Sequence, residues 1–295
     1  MNIENITVEQ QEIIQSFKCE RLSCRELNKN LIRNFSNKQG KLIVDYLLSK
    51  AWNEDINCEN AYYLVKDNLG NVALFFSLKC GTLFSPFREE YYRSKISSLK
   101  DILKILELYK QERTEENRER ARLFLEQYRT GNIDIKETIS RIISEGKSAK
   151  DALAYLEDDK KHESNTDIHH VEKTYPAIEI VHFCVNDNLR AKWKSYNLNH
   201  PMGEVLFWQF IAPLICKMQE YVGCQYVFLF AADLSENESL INYYNIALKF
   251  QLSGDITTNK PYYDFCCRFM CQEIKDLKKH RENYFAHFNM DTNTP

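Results

Sequence analysis

The chain has 295 residues, 44% hydrophobic and 27% charged, enough for one large core or two modest ones and ordinary for a globular protein. A formal net charge of −3 and a sequence pI near 6.2, with no visibly basic face, argue against a nucleic-acid partner. The opening MNIENITVEQQEIIQSFKCE mixes charges and amides, and no later run approaches the roughly 18 apolar residues of a membrane span, so the protein reads as cytoplasmic.

Residues 8–52 carry apolar side chains at helical spacing (Ile13, Ile14, Phe17; Leu27, Leu31, Ile32; Leu42, Val44, Leu47, Leu48) and predict two or three helices broken at Gly40. AYYLVKDNLGNVALFFSLKCGTLF (61–84) is two β-rich runs around DNLGN, whose Asp, Asn and Gly favour a hairpin turn. From about residue 88 the composition shifts to Lys, Glu and Arg with apolar residues at helical spacing. Thr114, Asp134 and Ser148 supply helix starts, Gly131 and Gly146 supply stops, and three or four surface-facing helices are expected. HESNTDIHH (162–170) reads as a polar loop.

After Pro176, AIEIVHFCVND (177–187) predicts a strand, and GEVLFWQFIAPLICKMQEY (203–221) a strongly apolar helix kinked at Pro213, where a backbone donor is lost. VGCQYVFLFAAD (222–233) is apolar on successive positions and predicts a strand covered on both faces. SENESLINYYNIALKF (235–250) predicts a short amphipathic helix, YYDFCCRFMCQEI (262–274) a last strand, and KDLKKHRENYFAHF a charged tail. The alternation is that of an α/β chain with an inserted helical module.

The ten cysteines form no CxxC pair, so zinc-ribbon and thioredoxin readings find no support, and reduced, buried thiols packed as small hydrophobes are expected. His162, Asp167, His169 and His170 lack metal-ligand spacing, and no metal is expected. Glu179 stands in the otherwise apolar IEIVHFCV, where an unpaired carboxylate is costly to bury, so it faces a cleft or has a partner. Alternation places Glu179, Val181, Phe183 and Val185 on one face of that strand and Ile180, His182 and Cys184 on the other. Gly203 opens a helix whose free N–H groups would suit an anion, and Asp233, at the end of a strand, suits a helix cap.

The order strand, glycine-bearing turn, helix, strand, helix, strand in 177–274 resembles the GNAT superfamily of acyl-CoA-dependent N-acetyltransferases. That family has a loop of the form Arg/Gln-x-x-Gly-x-Gly/Ala opening a helix, matched here by His200, Pro201, Met202, Gly203, Glu204 and Val205 with one small position kept and a histidine first. It also carries Asn-x-x-Ala-x-x-x-Tyr, and Asn237, Leu240 and Tyr244 fall on that spacing. The resemblance implies an α+β fold: a mixed, mostly antiparallel central sheet flanked by helices, formed by residues 1–84 and 173–295, with 85–172 inserted as a helical module.

The resemblance further implies that acetyl-CoA is the cosubstrate and an amine, on a small molecule or a protein, the acceptor. By analogy the backbone of Phe183, Cys184 and Val185 would hydrogen-bond the pantetheine amides, and His200, Met202, Gly203, Glu204 and Val205 would hold the pyrophosphate, with Asn237 and Tyr244 closing the site. Tyr244 would protonate the leaving thiolate, a transfer suited to a phenol of pKa about 10 and a thiol of about 8.5, leaving Tyr243 as a packing neighbour. Glu179 is the first choice for the base that takes the amine proton and His182 the second. The alternative is a non-catalytic interaction or regulatory protein on the same fold, acting through the helical insertion.

Overall fold

Among the described residues seven strands form one sheet: β1 (Lys18–Arg21), β2 (Ala61–Lys66), β3 (Val72–Pro86), β4 (Val171–Val185), β5 (Tyr226–Ala231), β6 (Gln251–Leu252) and β7 (Arg268–Glu273), in the order β1-β2-β3-β4-β5-β7-β6. The computed structural model describes residues 6–86, 171–233, 235, 237–259 and 267–289, together with 103, 104, 107, 114–116 and 119. The chain divides into two compact units, Met1–Ser85 with Lys173–Pro295, and Pro86–Glu172. In the second, residues 103, 104, 107, 115, 116 and 119 are helical and Leu103 is buried. The rest of the helices predicted there, the HESNTDIHH loop and most of YYDFCC lie outside the described residues.

β4 and β5 pair in parallel; β1–β2, β2–β3, β5–β7 and β6–β7 are antiparallel. Ser77 meets His182 while the Asn186 N–H reaches the Ala73 carbonyl, so β3 and β4 also run in opposite senses. This is the mixed, mostly antiparallel sheet flanked by helices that the resemblance implies. The hairpin forms where expected: Asp67 O accepts from Gly70 N, the Asp67 side chain accepts from Leu69 N and Asn71 N, and Gly70 takes the left-handed conformation, φ 85°, that a residue without Cβ adopts at little cost.

Helices α1 (Val8–Ser16), α2 (Asn28–Leu31), α3 (Lys41–Ser49) and α4 (Ala51–Ile56) precede the hairpin. Between them Lys18–Arg21 is a strand, not part of a helix as the periodicity predicts. Tertiary pairing overrides local preference here: β1 docks on β2, and Lys66 Nζ bonds Glu20 Oε1 at 2.5 Å and Asn28 Oδ1 at 2.6 Å. α5 (Arg190–Ser195) follows β4. The apolar helix then runs as α6 (Met202–Leu206), a π turn over Phe207–Ile211, and α7 (Ala212–Tyr221).

The predicted kink is therefore a π turn with an identifiable cause. Pro213 has no N–H to give the carbonyl five residues back, that of Trp208. Arg281 Nε donates to the Trp208 oxygen instead, at 2.8 Å, and Arg281 Nη2 reaches Gln209 Oε1 at 3.2 Å. Arg281 belongs to α9 (Ile274–Ala286), which replaces the predicted charged tail. Ile274, Leu277 and Phe285 bury one stripe of this helix, and Phe288 extends the stripe past its end. α8 (Ser239–Ile246) lies between β5 and β6.

One face of the sheet is covered by a core built on Phe207, Trp208, Val227, Leu229, Phe250 and Met270. The other carries Leu22, Phe35, Leu47, Tyr62 and Phe75 at one end and Leu83, Ala177, Phe228 and Cys271 at the other. Gly81 belongs to the second end: a Cβ there would lie 2.6 Å from the Phe228 ring. Gly81→Ala should therefore cost about 1–3 kcal/mol by overpacking, seen as a lower denaturation midpoint at unchanged m value; an unchanged midpoint would mean Phe228 can swing aside. Of the described cysteines, Cys184, Cys224 and Cys271 are buried as expected, but Cys24, Cys58 and Cys80 are exposed because they lie in turns or on the outer part of a strand.

Candidate active site

β4 and β5 are joined through three residue pairs, Ala177–Tyr226, Ile178–Val227 and Glu179–Phe228. β4 then runs on to Val185 and β5 to Ala231 without further registered pairing between them, so the sheet opens at its centre. A bulge in β4 accompanies the opening. Ile178 and Ile180 pack in the same core as Phe183 and Val185, whereas His182 packs against Tyr62 and Phe75 and Cys184 joins the opposite core. Strict alternation cannot put residues 180 and 183 on one face. One extra residue between Ile180 and His182 reverses the phase, which corrects the predicted faces: Phe183 and Val185 do not share a face with Glu179.

Where the sheet opens, the structure brings together Phe183, Val185, Gly203 and Tyr243. A Cβ on Gly203 would lie 3.1 Å from Tyr243 Oη, 3.3 Å from Val185 Cγ1 and 3.5 Å from Phe183 Cζ, so the glycine is what lets helix, strand and tyrosine meet. Glu204 and Val205 donate their N–H groups to the Pro201 carbonyl at 3.1 and 3.2 Å, which starts the helix. Met202 and Val205 are core residues, and Glu204 is half-buried. Of the β4 backbone groups expected to meet pantetheine, the Val185 carbonyl already accepts from Asn37 Nδ2 at 2.9 Å.

Of the two tyrosines, Tyr243 turns its hydroxyl to Gly203 and Tyr244 is the buried one, 9% exposed. Burial pushes the Tyr244 phenol well above its usual range, with the Cys184 thiol adding a smaller push, so it stays protonated at any ordinary pH. Burial raises the Tyr243 phenol too, followed by the Glu204 charge. The Cys184 thiol is itself pushed up to about 12, which rules it out as a thiolate near neutrality.

Asn237 is not drawn into this group: it is exposed, and its carbonyl accepts from Asn242 Nδ2 at 3.1 Å. The start of α8 is held instead by Asp233, whose Oδ2 accepts from Leu240 N at 2.7 Å and Ile241 N at 3.0 Å, as a cap should. The hydrogen bond from Ser235 Oγ, followed by those from the backbone N–H groups, holds the Asp233 carboxyl at about 2.

His200, the basic loop position, faces inward. Its Nε2 lies 2.7 Å from the Phe288 carbonyl, its Nδ1 3.7 Å from Glu204 Oε1, and its ring against those of Phe288 and Tyr284. The Glu204 carboxylate, against the opposing effect of burial, raises its pKa above the usual value. Tyr284 brings a buried hydroxyl without a hydrogen-bond partner to this end of the helix. α9 thus claims the histidine that the loop motif assigns to phosphate, which leaves backbone N–H groups and the Tyr243 hydroxyl beside Gly203 for an anion.

The two base candidates occupy different settings. Glu179 is half-buried at the last β4–β5 pair, where the strands part. His182 sits in a polar cluster on the face of β4 opposite Phe183, its Nδ1 2.8 Å from Ser77 Oγ and its ring 5.6 Å from that of Tyr62 and 5.0 Å from that of Tyr46. Next to it, Glu54 Oε2 accepts from Tyr62 Oη at 2.8 Å and Asn60 Nδ2 at 2.8 Å, and Glu54 Oε1 from Tyr46 Oη. Burial pushes the Glu54 carboxyl up, but these bonds outweigh it and keep the group ionised. Nothing in the AWNEDIN segment singles out Glu54 as a sequence, because its partners come from β2 and α3, and only the fold joins them.

Burial lowers His182 to about 4 against the opposing Glu54 charge, so it is neutral at pH 7. The unfolded chain takes up this proton near 6.5 and the folded chain only near 4. Between those values the unfolded state binds more protons, so this contribution is full above about pH 6.5 and is lost as pH falls towards 4. His182→Gln should flatten the stability-versus-pH slope in that window, read by urea titrations at fixed pH; an unchanged slope would show that His182 is solvated.

No family model matches the chain, and no curated protein does. Among solved structures it is similar to a point mutant of KacT (TM-score 0.45, 8% identity, covering 90% of this chain and 99% of that one). It is also similar to AtaTR bound with AcCoA (TM-score 0.44, 11% identity, 90% and 98% covered). A third is AtaT complexed with acetyl-methionyl-tRNAfMet (TM-score 0.39, 9% identity, 90% and 98% covered). The chemistry open to this chain is that of its own residues.

Proposed function

We propose that the protein is an acyl-CoA-dependent N-acyltransferase that passes an acetyl group from acetyl-CoA directly to a primary amine. The observation that carries this reading is the parallel pair β4–β5, joined only through Ala177–Glu179 and opening beside the helix start at Gly203. Backbone N–H groups and the helix dipole at Met202–Gly203 suit a pyrophosphate, and the opening bordered by Phe183 and Val185 suits an extended amide chain. His200 is left out of the cosubstrate set because its ring is committed to Phe288.

In the reaction the amine nitrogen attacks the thioester carbonyl, a C–N bond forms and the C–S bond breaks. The amine gives up one proton and the thiolate gains one. Tyr244, a phenol that burial keeps protonated, is the proposed donor to sulfur. His182, neutral at pH 7, and Glu179, at the parting of the strands, are the proposed acceptors of the amine proton. Positioning of the two reactants supplies most of the remaining rate. Residues 85–172 are proposed as an inserted helical module that shapes acceptor choice or a protein contact, an idea that unchanged acceptor preference after deletion of 90–168 would remove.

A second reading has an observation of its own. Tyr243 Oη occupies the space against Gly203 that a cosubstrate would share, which favours a GNAT-fold interaction or regulatory protein without catalysis. Isothermal titration of the full chain with acetyl-CoA separates the two. Saturable binding supports the acyltransferase; no heat at millimolar ligand supports the second reading.

A further inference from the structure

We propose that Glu54, Asn60, Tyr46 and Tyr62 form an acceptor subsite beside His182 that takes the ammonium group of a small aliphatic amine. This rests on the acyltransferase reading for its role, though not for its binding chemistry.

Glu54 is ionised, and three donors, from Tyr46, Tyr62 and Asn60, occupy three of the roughly four lone-pair positions of a carboxylate. The same Asn60 amide that donates to Glu54 through Nδ2 leaves its Oδ1 buried without a partner. Exchanging the two amide atoms gives no relief, because Oδ1 would then face the carboxylate. Two acceptor positions thus stand within one amide of each other, one charged and one orphaned, and a buried orphan acceptor is costly to leave unmet. A group that meets both must donate at least two hydrogen bonds, and one that carries positive charge is also drawn to the Glu54 carboxylate. A hydroxyl donates once and an anion is repelled; an ammonium fits.

The aromatic surroundings suit the same group. Lys50 Nζ lies 5.0 Å from the centre of the Tyr46 ring, an ammonium of the protein's own already held at this cluster. Tyr46, Glu54 and Asn60 are half-buried, while the fully buried Tyr62 and Ser77 close the inner wall. The bulge in β4 gives the subsite its place in the reaction. It turns His182 towards Glu54 while the next residue, Phe183, faces Gly203; the bound ammonium first releases one proton to solvent, and the neutral amine and the thioester would then approach one strand from its two sides. An amine carried on RNA would bring phosphates towards Glu54, in a chain of net charge −3.

The test uses the full chain, acetyl-CoA, and n-butylammonium chloride as the probe. Butylammonium should bind saturably, and Glu54→Gln should weaken it at least tenfold while leaving acetyl-CoA affinity and the circular dichroism unchanged. Asn60→Ser, which removes the orphan acceptor without adding bulk, should weaken it as well and covers the case in which Glu54→Gln fails to fold. Butylammonium binding without acetyl-CoA binding would keep the subsite and remove the acyltransferase reading. Acetyl-CoA binding without saturable butylammonium binding, equal butylammonium affinity in the folded variants, or Glu54-independent acetylation of aminoacyl-tRNA in place of butylamine would each overturn the subsite.

Discussion

Tyr244→Phe is expected to lower kcat for acetyl transfer by about 10²-fold or more, the usual worth of a positioned general acid, with little change in KM for acetyl-CoA. The substitution removes one oxygen from a ring that is 9% exposed and packed near Tyr243 and Phe250, so the fold should survive it. Burial makes this phenol a poor anion and a permanent acid, the state needed to protonate a departing thiolate. The companion is Tyr243→Phe. Its hydroxyl lies against Gly203 and Val185, among the groups proposed to hold the cosubstrate, so its loss should change acetyl-CoA affinity and spare kcat. The reverse pattern, with kcat lost in Tyr243→Phe and kept in Tyr244→Phe, would move the acid to the neighbouring tyrosine and withdraw the role given to Tyr244.

The adjacency of these tyrosines also shows how far the sequence is legible. The strands at 61–84, 177–187 and 222–233 are visible because their apolar runs and turn residues act locally, and the helix at 235–250 because its amphipathic spacing does. Side-chain direction along β4 is not visible, because a bulge is a response to neighbouring strands: the phase reverses between Ile180 and His182, and every inference from alternation past that point reverses too. β1 is hidden for a related reason, since KCER has no strand signature and becomes a strand only by pairing with Ala61–Lys66. In α9 the charged exterior of KDLKKHREN masks a buried stripe of Ile274, Leu277 and Phe285, whose partner surface lies far away in sequence. At the site, Gly203 and Tyr244 follow from a spacing, whereas Glu54 and Asn60 follow from contacts alone, and His200, which fits the spacing, is drawn off by the Phe288 carbonyl.

Asp55→Ala should destabilise the first unit by about 4 kcal/mol, because removing a fully buried carboxylate leaves two backbone donors and a guanidinium unmet at once. The Asp55 carboxylate is fully buried and accepts from Arg21 Nε at 2.9 Å, Ser23 N at 2.8 Å and Tyr62 N at 2.9 Å, while Arg21 Nη2 donates to the Asp55 carbonyl at 2.9 Å. One side chain thereby ties β1, the turn that follows it, α4 and β2. The alanine variant strands the buried Tyr62 N–H and the half-buried Ser23 N–H as well as the guanidinium, each worth about 1–3 kcal/mol but overlapping in effect. Arg21→Met should be milder, about 1–2 kcal/mol, since Arg21 is 38% exposed and the carboxylate keeps both N–H bonds. At about 2–4 °C per kcal/mol for a domain of this size, Asp55→Ala should lower Tm by roughly 8–16 °C. A loss below about 1 kcal/mol would mean that water replaces the carboxylate and that the tie is not structural. The functional consequence is local to one side of β4: α4 carries Glu54 and β2 carries Tyr62, so a folded Asp55→Asn protein should bind acetyl-CoA normally and lose butylammonium, separating the two halves of the proposed site by a residue that touches neither ligand.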